Sequence, residues 1–278
     1  MSKKKKLHSS TQDYFLTQEH FDIVKTTIDG LLKTMPIPSN LDKYYQSDEY
    51  LSHDDSNTGL FASLYKTARN WNLNSKKSLI SKYLPEGPML DIGAGNGELV
   101  SYLRENRFDA IGFEPSPLAR KFAYQKGIQL LDELPDAQIK SYRVVTMFHV
   151  LEHVEDLSEQ LHYLSKIVEE DGHVIIAVPN HKSLDAKLFG KYWAAWDVPR
   201  HLWHFDKNGI QSVFDGKFEL VNTKVMWLDS FYVSILSARY KKWPLPLVIG
   251  GIIGLFSNIA TIFTNQASSH IYIFKKAQ

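Results

Sequence analysis

Apolar residues follow two rhythms along the chain, short unbroken runs and helical spacings. From about residue 60 onward the two alternate. The runs are Met89–Ile92, Ala110–Glu114, Gly127–Glu133, Tyr142–Val150, His173–Asn180, Phe218–Trp227 and Ile271–Phe274. Each has the length and composition of a buried strand. Between them, apolar positions recur every three or four residues: Leu60, Leu64 and Ala68, then Leu79, Ile80 and Tyr83, a pair of helices stopped by Pro85-Glu86-Gly87-Pro88. Further helices are expected at Leu99–Leu103, from Pro115-Ser116-Pro117 to Gln125, at Leu157–Val168, Asp206–Phe214 and Phe231–Tyr240. Strands alternating with helices predict an α/β domain built on a parallel sheet.

Three stretches depart from this rhythm. Residues 7–57 are polar and broken by turn signals such as Met35-Pro36-Ile37-Pro38, with Phe15-Leu16 and Phe21–Val24 as short strands. Phe189 to Phe205 packs three Trp, other aromatics, two His, an Arg and an Asp into 17 residues. Between Pro244 and Phe274 there is no Lys, Arg, Asp or Glu. Leu245 to Phe263 is almost long enough to cross a bilayer but contains a proline, glycines and polar residues. Spanning would also strand the last β-run on the wrong side. The expectation is an apolar helical hairpin that covers the domain, forms a dimer contact or rests on a membrane interface. The implied organisation is an N-terminal extension over 1–58 and a main domain over 59–278, carrying an aromatic insertion at 181–206 and an apolar one at 241–268.

Composition narrows the picture modestly. The 278 residues carry 32 basic and 31 acidic side chains, so no global field points to nucleic acid. With no Cys there is neither a disulfide framework nor a thiolate metal site, which fits a reducing cytoplasm. Lys3 to Lys6 are followed by no apolar segment, so a secretory signal is not expected. No metal set is visible. The expected location is cytoplasmic, with membrane-peripheral contact through 245–263 as an option.

The chemistry centres on Asp91-Ile92-Gly93-Ala94-Gly95-Asn96-Gly97, where a strand breaks into three alternate glycines before a helix. Glycine tolerates positive φ and close backbone approach, and a helix N-terminus offers free N–H groups. Glu98-Leu99 stands where a phosphate-binding P-loop needs Lys and Ser or Thr. The spacing also differs from the dinucleotide G-x-G-x-x-G. An acid before the first glycine would repel a pyrophosphate and suits a ligand bearing an ammonium and a sulfonium. Glu114 ends the next strand, 17 positions beyond Gly97, where a carboxylate can accept both hydroxyls of a ribose.

These motifs resemble class I S-adenosylmethionine-dependent methyltransferases. Phe148-His149-Val150-Leu151-Glu152-His153-Val154 and Trp193-Ala194-Ala195-Trp196-Asp197-Val198-Pro199-Arg200-His201-Leu202-Trp203-His204-Phe205 are similar to a bacterial small-molecule subgroup. That subgroup opens with a zinc-ribbon-like element. This chain matches its later Pro-x-Pro and Tyr-Tyr-x-Ser stretches, but Thr26 and Asp29 stand where the cysteines would be, so a ribbon remnant without metal is expected. The resemblance implies a Rossmann-like seven-stranded sheet, six strands parallel and the last antiparallel, sandwiched by helices. It also implies a cofactor site of Asp91, Gly93, Ala94, Gly95, Gly97, Glu114, Pro115, Asp132 (with Glu133 as alternative), Phe148 and His149. Arg69 either meets the cofactor carboxylate or faces solvent.

On the acceptor side, Tyr45, His53, Trp193, Trp196, Asp197, Arg200 and His201 are expected to contact substrate, with Arg200 able to recognise an anionic group. His149 and His201 are the candidates for proton transfer, His149 alternatively lining the cofactor pocket, while Glu152 and His153 are expected to stabilise the loop. The Tyr44–His53 run reads equally as an active-site flap or a packed cap. The expected activity is methyl transfer from S-adenosylmethionine to a small-molecule, lipid-linked or saccharide acceptor, yielding S-adenosylhomocysteine and needing no metal. The rivals are a non-catalytic or membrane-associated cofactor-binding protein and a nicotinamide-dependent oxidoreductase. Neither the acceptor atom nor the oligomeric state follows from the sequence.

Overall fold

The structure is a computed structural model that describes residues 6–45, 60–138 and 141–277. The chain groups into two compact units. One comprises Met1–Gln46, His149–Ser158 and Ile176–Ile273; the other comprises Ser47–Phe148, Glu159–Ile175 and Phe274–Gln278. The N-terminal residues therefore group with the aromatic and apolar insertions and do not stand apart as an extension.

The unit that holds the glycine motif is built on β4 (Pro88–Ile92), β5 (Asp109–Phe113) and β6 (Tyr142–Phe148). β4 pairs in parallel with both neighbours, Asp91 lying opposite Gly112 on one side and Thr146 on the other. Met89, Leu90, Val144, Val145 and Met147 are all buried, as an unbroken apolar run requires of strands covered on both faces. The preceding helix α1 (Leu60–Ile80) is one continuous element where the apolar spacing predicted two, since no Gly or Pro interrupts it. Helices α2 (Glu98–Glu105) and α3 (Pro117–Gln125) follow β4 and β5, and α4 (Leu157–Ile167) follows β6. Gly112 is required by packing: a Cβ there would lie 2.6 Å from Leu130 and 2.8 Å from Val100.

Two longer strands, β7 (Val168–Pro179) and β10 (Ser269–Lys276), contribute residues to both units. With β9 (Phe218–Val225) the hydrogen-bonded order is β5-β4-β6-β7-β10-β9. The chain thus has the Rossmann-like mixed α/β sheet that the sequence predicts. Among the described residues it contains six strands where seven were expected, because Gly127–Glu133 forms a single bridge, Leu131 to Phe113, in place of a third strand. β7 also begins earlier than expected: Asp171-Gly172 lies within the strand, with Asp171 at φ +61°.

The other unit holds a second, four-stranded sheet. β1 (Leu7–Gln12), β2 (His20–Lys25) and β3 (Leu31–Met35) form an antiparallel meander, and β8 (Trp203–Phe205) pairs antiparallel with β3. The polar β1 gave no apolar signal. Phe15-Leu16, read as a strand, is a turn whose N–H groups donate to the Asp13 carboxylate. Helix α5 (Leu184–Phe189) starts on the Ser183 cap, and α6 (Lys207–Phe214) starts on Asp206, whose side chain accepts from Gly209 N–H. Two further helices, α7 (Asp229–Tyr240) and α8 (Pro246–Thr264), pack together. The apolar stretch is thus one helix paired with α7, and no hairpin forms within 245–263; Pro246 occupies the first turn, where proline is tolerated.

Candidate functional site

The glycine turn is shaped chiefly by its backbone. Gly93, Gly95 and Gly97 all have positive φ, at +73°, +57° and +76°. The N–H groups of Gly93 and Ala94 both donate to the Phe113 carbonyl, which folds the turn over the end of β5. A Cβ on Gly97 would meet Ile128 at 2.7 Å, so that glycine serves packing. A Cβ on Gly95 would meet nothing within 4 Å, so its bare face borders open space that any side chain would invade.

Two carboxylates flank this turn. Asp91 is buried at the end of β4 and accepts a hydrogen bond from Thr146 Oγ1 at 2.6 Å. Burial pushes its pKa up to about 6 against the opposing effects of that hydrogen bond and the Lys76 charge. Glu114 is buried as well, with Oε2 accepting from Gly95 N–H and Oε1 from Ser116 N–H. Burial raises its pKa, while those two backbone donors oppose the rise. Pro115 follows it directly, and Arg120 fixes this corner by donating to the carbonyls of Glu114 and Pro115. Glu114 N–H donates to the Leu131 carbonyl, which puts the exposed Asp132 one residue beyond that contact.

Phe148 ends β6 with the Lys76 ammonium 4.2 Å from its ring centroid, a cation the sequence did not single out. Arg69 makes a two-pronged ion pair with Glu98, with nitrogen–oxygen distances of 2.6 and 2.8 Å.

The histidine loop belongs to the other unit. His149, directly after β6, adopts φ +58° and places its ring between two carboxylates, Nδ1 3.3 Å from Glu152 and Nε2 3.1 Å from Asp229. Burial works against an imidazolium here, but the hydrogen bonds and charges of Asp229 and Glu152 outweigh it and push the pKa up to about 10. His149 is therefore a cation at neutral pH, with its proton already in place, and it is not an available base. Asp229 was missed in the sequence because nothing local marks the first residue of α7 as a partner for a loop 80 positions earlier.

Glu152 and His153 do more than stabilise the loop. Glu152 is buried, and its Oε2 has no hydrogen-bond partner. Burial opposes its ionisation, but the hydrogen bond from His149 holds its pKa below the usual value. Burial pushes His153 down to about 4, so it is neutral. Its Nδ1 lies 3.0 Å from the Arg200 carbonyl and 3.1 Å from the Tyr45 hydroxyl. Tyr45 is thereby brought to this cluster, while His53 falls outside the described residues. His201 Nδ1 is 2.9 Å from the Ala195 carbonyl, which makes Nδ1 the protonated nitrogen. Nε2 then lies 4.0 Å from Glu152 and 3.9 Å from Asp197. Glu152, His153 and His201 each present a ligand atom within 4.8 Å of the others, so the cluster has the donor set of a metal site.

The aromatic segment is packed differently from an acceptor wall. Trp193 is buried and donates to Asp185 Oδ2 at 2.8 Å; Trp196 is buried and donates to the Gly190 carbonyl at 2.9 Å. Arg200 is 1% exposed and donates to Asp13, Asp197 and the Tyr44 carbonyl. Its charge is answered inside the protein, and so is that of Asp197. These four residues hold the second sheet and its insertion together; Trp193, Trp196 and Arg200 are buried with their polar groups engaged, and Asp197 is part-buried. No side-chain hydrogen bond or ion pair is recorded for Asp29, and the Thr26 hydroxyl closes its own turn by donating to the Leu31 carbonyl.

Comparison with known proteins agrees with this arrangement. A family described as a methyltransferase domain matches residues 66–222, more than half of the chain. The ubiquinone biosynthesis O-methyltransferase of Salmonella paratyphi A is 30% identical over 139 residues, 46% of this chain and 50% of that protein. That of Aliivibrio fischeri is 28% identical over 130 residues, 43% of this chain and 53% of that protein. The chain thus spans about half the length of the curated relatives it matches. Among solved structures, the magnesium protoporphyrin IX methyltransferase of Synechocystis superposes with a TM-score of 0.50 at 14% identity, covering 85% of this chain and 92% of that one. This likeness shows the shared fold. The sheet order, the glycine turn with its two carboxylates and the family match converge: the chain belongs to the methyltransferase-domain family.

Proposed function

We propose that the protein transfers a methyl group from S-adenosylmethionine to a hydroxyl of a small-molecule acceptor. The observation that carries this reading is the Gly95 turn, open on its bare face and bracketed by buried Asp91 and Glu114. The residues present fit the cofactor: Glu114 keeps lone pairs for ribose hydroxyls, Asp91 offers a carboxylate to an ammonium, and open space lies where a Cβ would intrude. When bound, S-adenosylmethionine supplies a methyl on a positively charged sulfur that becomes a neutral thioether as the methyl leaves. A hydroxyl acceptor is favoured by the relatives' description as O-methyltransferases.

An oxygen that gains a methyl must lose its proton. His149 already carries one. His201 is the group that can take it, because the Ala195 carbonyl fixes the proton on Nδ1 and leaves the lone pair on Nε2. The cation so formed is stabilised by Glu152 and Asp197, each about one ion-pair distance away. Most of the rate would come from positioning, which suits a site without a nucleophile.

Calorimetry with S-adenosylmethionine, S-adenosylhomocysteine and NAD tests the reading. Both adenosyl ligands should bind, and Asp91→Ala and Gly95→Val should each lose binding while the circular dichroism spectrum is retained. Tight NAD binding without S-adenosylmethionine binding would overturn it. Transfer of labelled methyl to a metabolite panel then identifies the acceptor, and His201→Gln should lower turnover without changing cofactor affinity.

A further inference from the structure

Helix α8 is inside out for a helix in water. The face it turns to the protein is small and polar: Gly250, Gly254, Ser257 and Thr261 are buried, opposite Ser230, Ser234 and Ser237 of α7. A Cβ on Gly254 would sit 2.8 Å from Phe231 Cα, and one on Gly250 would run into the Ile235 backbone, so the two helices touch through their main chains. The face turned outward is large and apolar, with Leu247, Ile252, Leu255, Phe256, Ile262 and Phe263 all exposed. Ile262 is 69% and Phe263 84% exposed. A surface helix in water places its apolar stripe against the core and its polar residues outside. Small residues between helices with large apolar residues outside is the arrangement of helices packed in hydrocarbon.

The margins of this face say what covers it. The α7–α8 hairpin carries Arg239, Lys241 and Lys242 and has no Asp or Glu from residue 230 through residue 264. Arg239 and Lys242 are exposed, and Lys241 lies 4.3 Å from the Trp243 ring centroid. Trp227 and Tyr232 are exposed near the same helices. Cations beside amphipathic aromatics at the edge of an apolar face match the headgroup region of an anionic bilayer. A second copy of the chain docked there would bring like charges together with no acid between residues 230 and 264 of either copy to answer them.

The helix is long and apolar enough to cross a membrane by composition. Its inner face, however, is tied to the protein along its length: Ser257 Oγ donates to buried Asp185, and Asn258 Nδ2 donates to the Trp227 carbonyl. Only the outer face is left for lipid.

We infer that α8 is a lipid-embedded anchor, lying in the interface of an anionic membrane with its Leu247–Phe263 face in the acyl region and Arg239, Lys241 and Lys242 at the headgroups. The full chain should co-sediment with vesicles of phosphatidylcholine containing a minority of phosphatidylglycerol, and less with phosphatidylcholine alone. Phe256→Ser with Phe263→Ser should lower partitioning about tenfold or more on both vesicle types. Lys241→Glu with Lys242→Glu should lower it about fivefold or more per residue on the anionic vesicles only. Thermal melts of the soluble variants establish that they are folded, and sedimentation velocity without lipid reports the oligomer. The inference is overturned if the wild-type chain stays in solution with both vesicles, if folded variants bind as well as wild type, or if the wild type is a dimer that Phe256→Ser with Phe263→Ser separates. Cofactor calorimetry on the same samples reads the methyl-transfer proposal independently.

Discussion

Arg200 donates to Asp13 across 187 positions of sequence, with an Nη2–Oδ1 distance of 2.8 Å and the two side chains 1% and 0% exposed. The same nitrogen donates to Asp197 at 2.6 Å. Two carboxylates therefore depend on one buried guanidinium. Replacing it by Arg200→Leu leaves both without their cation and should cost about 3–5 kcal/mol, read as a lower urea midpoint at unchanged slope. If the residue served only to contact substrate, the midpoint would stay within experimental error.

The elevated pKa of His149 links stability to pH. The folded value is raised from 6.5 to about 10, so its contribution is fully present below pH 6.5 and is lost as pH rises through 10. The side chain is 36% exposed, so solvent screens the effect. The urea midpoint should fall between pH 7 and about pH 10, and Asp229→Asn should flatten that fall. Direct titration of the His149 ring by NMR gives the same answer: it should remain protonated through neutral pH.

Asp91 titrates in the opposite sense for function. Its pKa is raised to about 6 by burial, so below that pH the carboxyl is neutral and attracts an ammonium weakly. Affinity for S-adenosylmethionine should fall as pH drops through 6, about tenfold per unit at the steep end, as measured by calorimetry. Asp91→Asn should bind weakly at every pH. A pH-independent affinity in the wild type would remove Asp91 from the cofactor's cationic end.

Gly30 has φ +79°, and a Cβ there would land on the Asp206 carboxylate that caps α6. Gly30→Ala should destabilise by about 1–3 kcal/mol through strain and loss of the cap. Asp206→Asn retains a capping acceptor and should cost less. Thermal melts separate the two.

The core sheet and the glycine turn with its flanking carboxylates were legible because their signals are local. Asp91, the three glycines and Glu114 lie within 24 residues, and runs such as Val144–Met147 can be little else than buried strands. What the sequence concealed depends on partners far away along the chain. Arg200 reads as an anion-binding residue until Asp13 is found beside it, and Trp193 reads as a pocket wall until its N–H is seen on Asp185. Asp229 carries no motif, yet it decides the protonation of His149. β1 escaped notice because Leu7–Gln12 is largely polar and is held by pairing with β2. The third strand failed in the opposite way: Gly127–Leu131 is apolar enough, but it makes a single bridge.

The pairing of β3 with β8 constrains the order of events during synthesis. On its other edge β3 pairs with β8, where Leu31, Leu32 and Lys33 lie opposite Phe205, His204 and Trp203, about 170 positions later. A ribosome adding 5–20 residues per second would need roughly ten to thirty seconds to deliver those partners. Until then β3 exposes one edge, whereas the glycine turn can close as soon as β5 emerges. The β1–β3 meander is thus made well before the strand that covers its edge, and the nascent meander is the point at which a holdase would be expected to intervene.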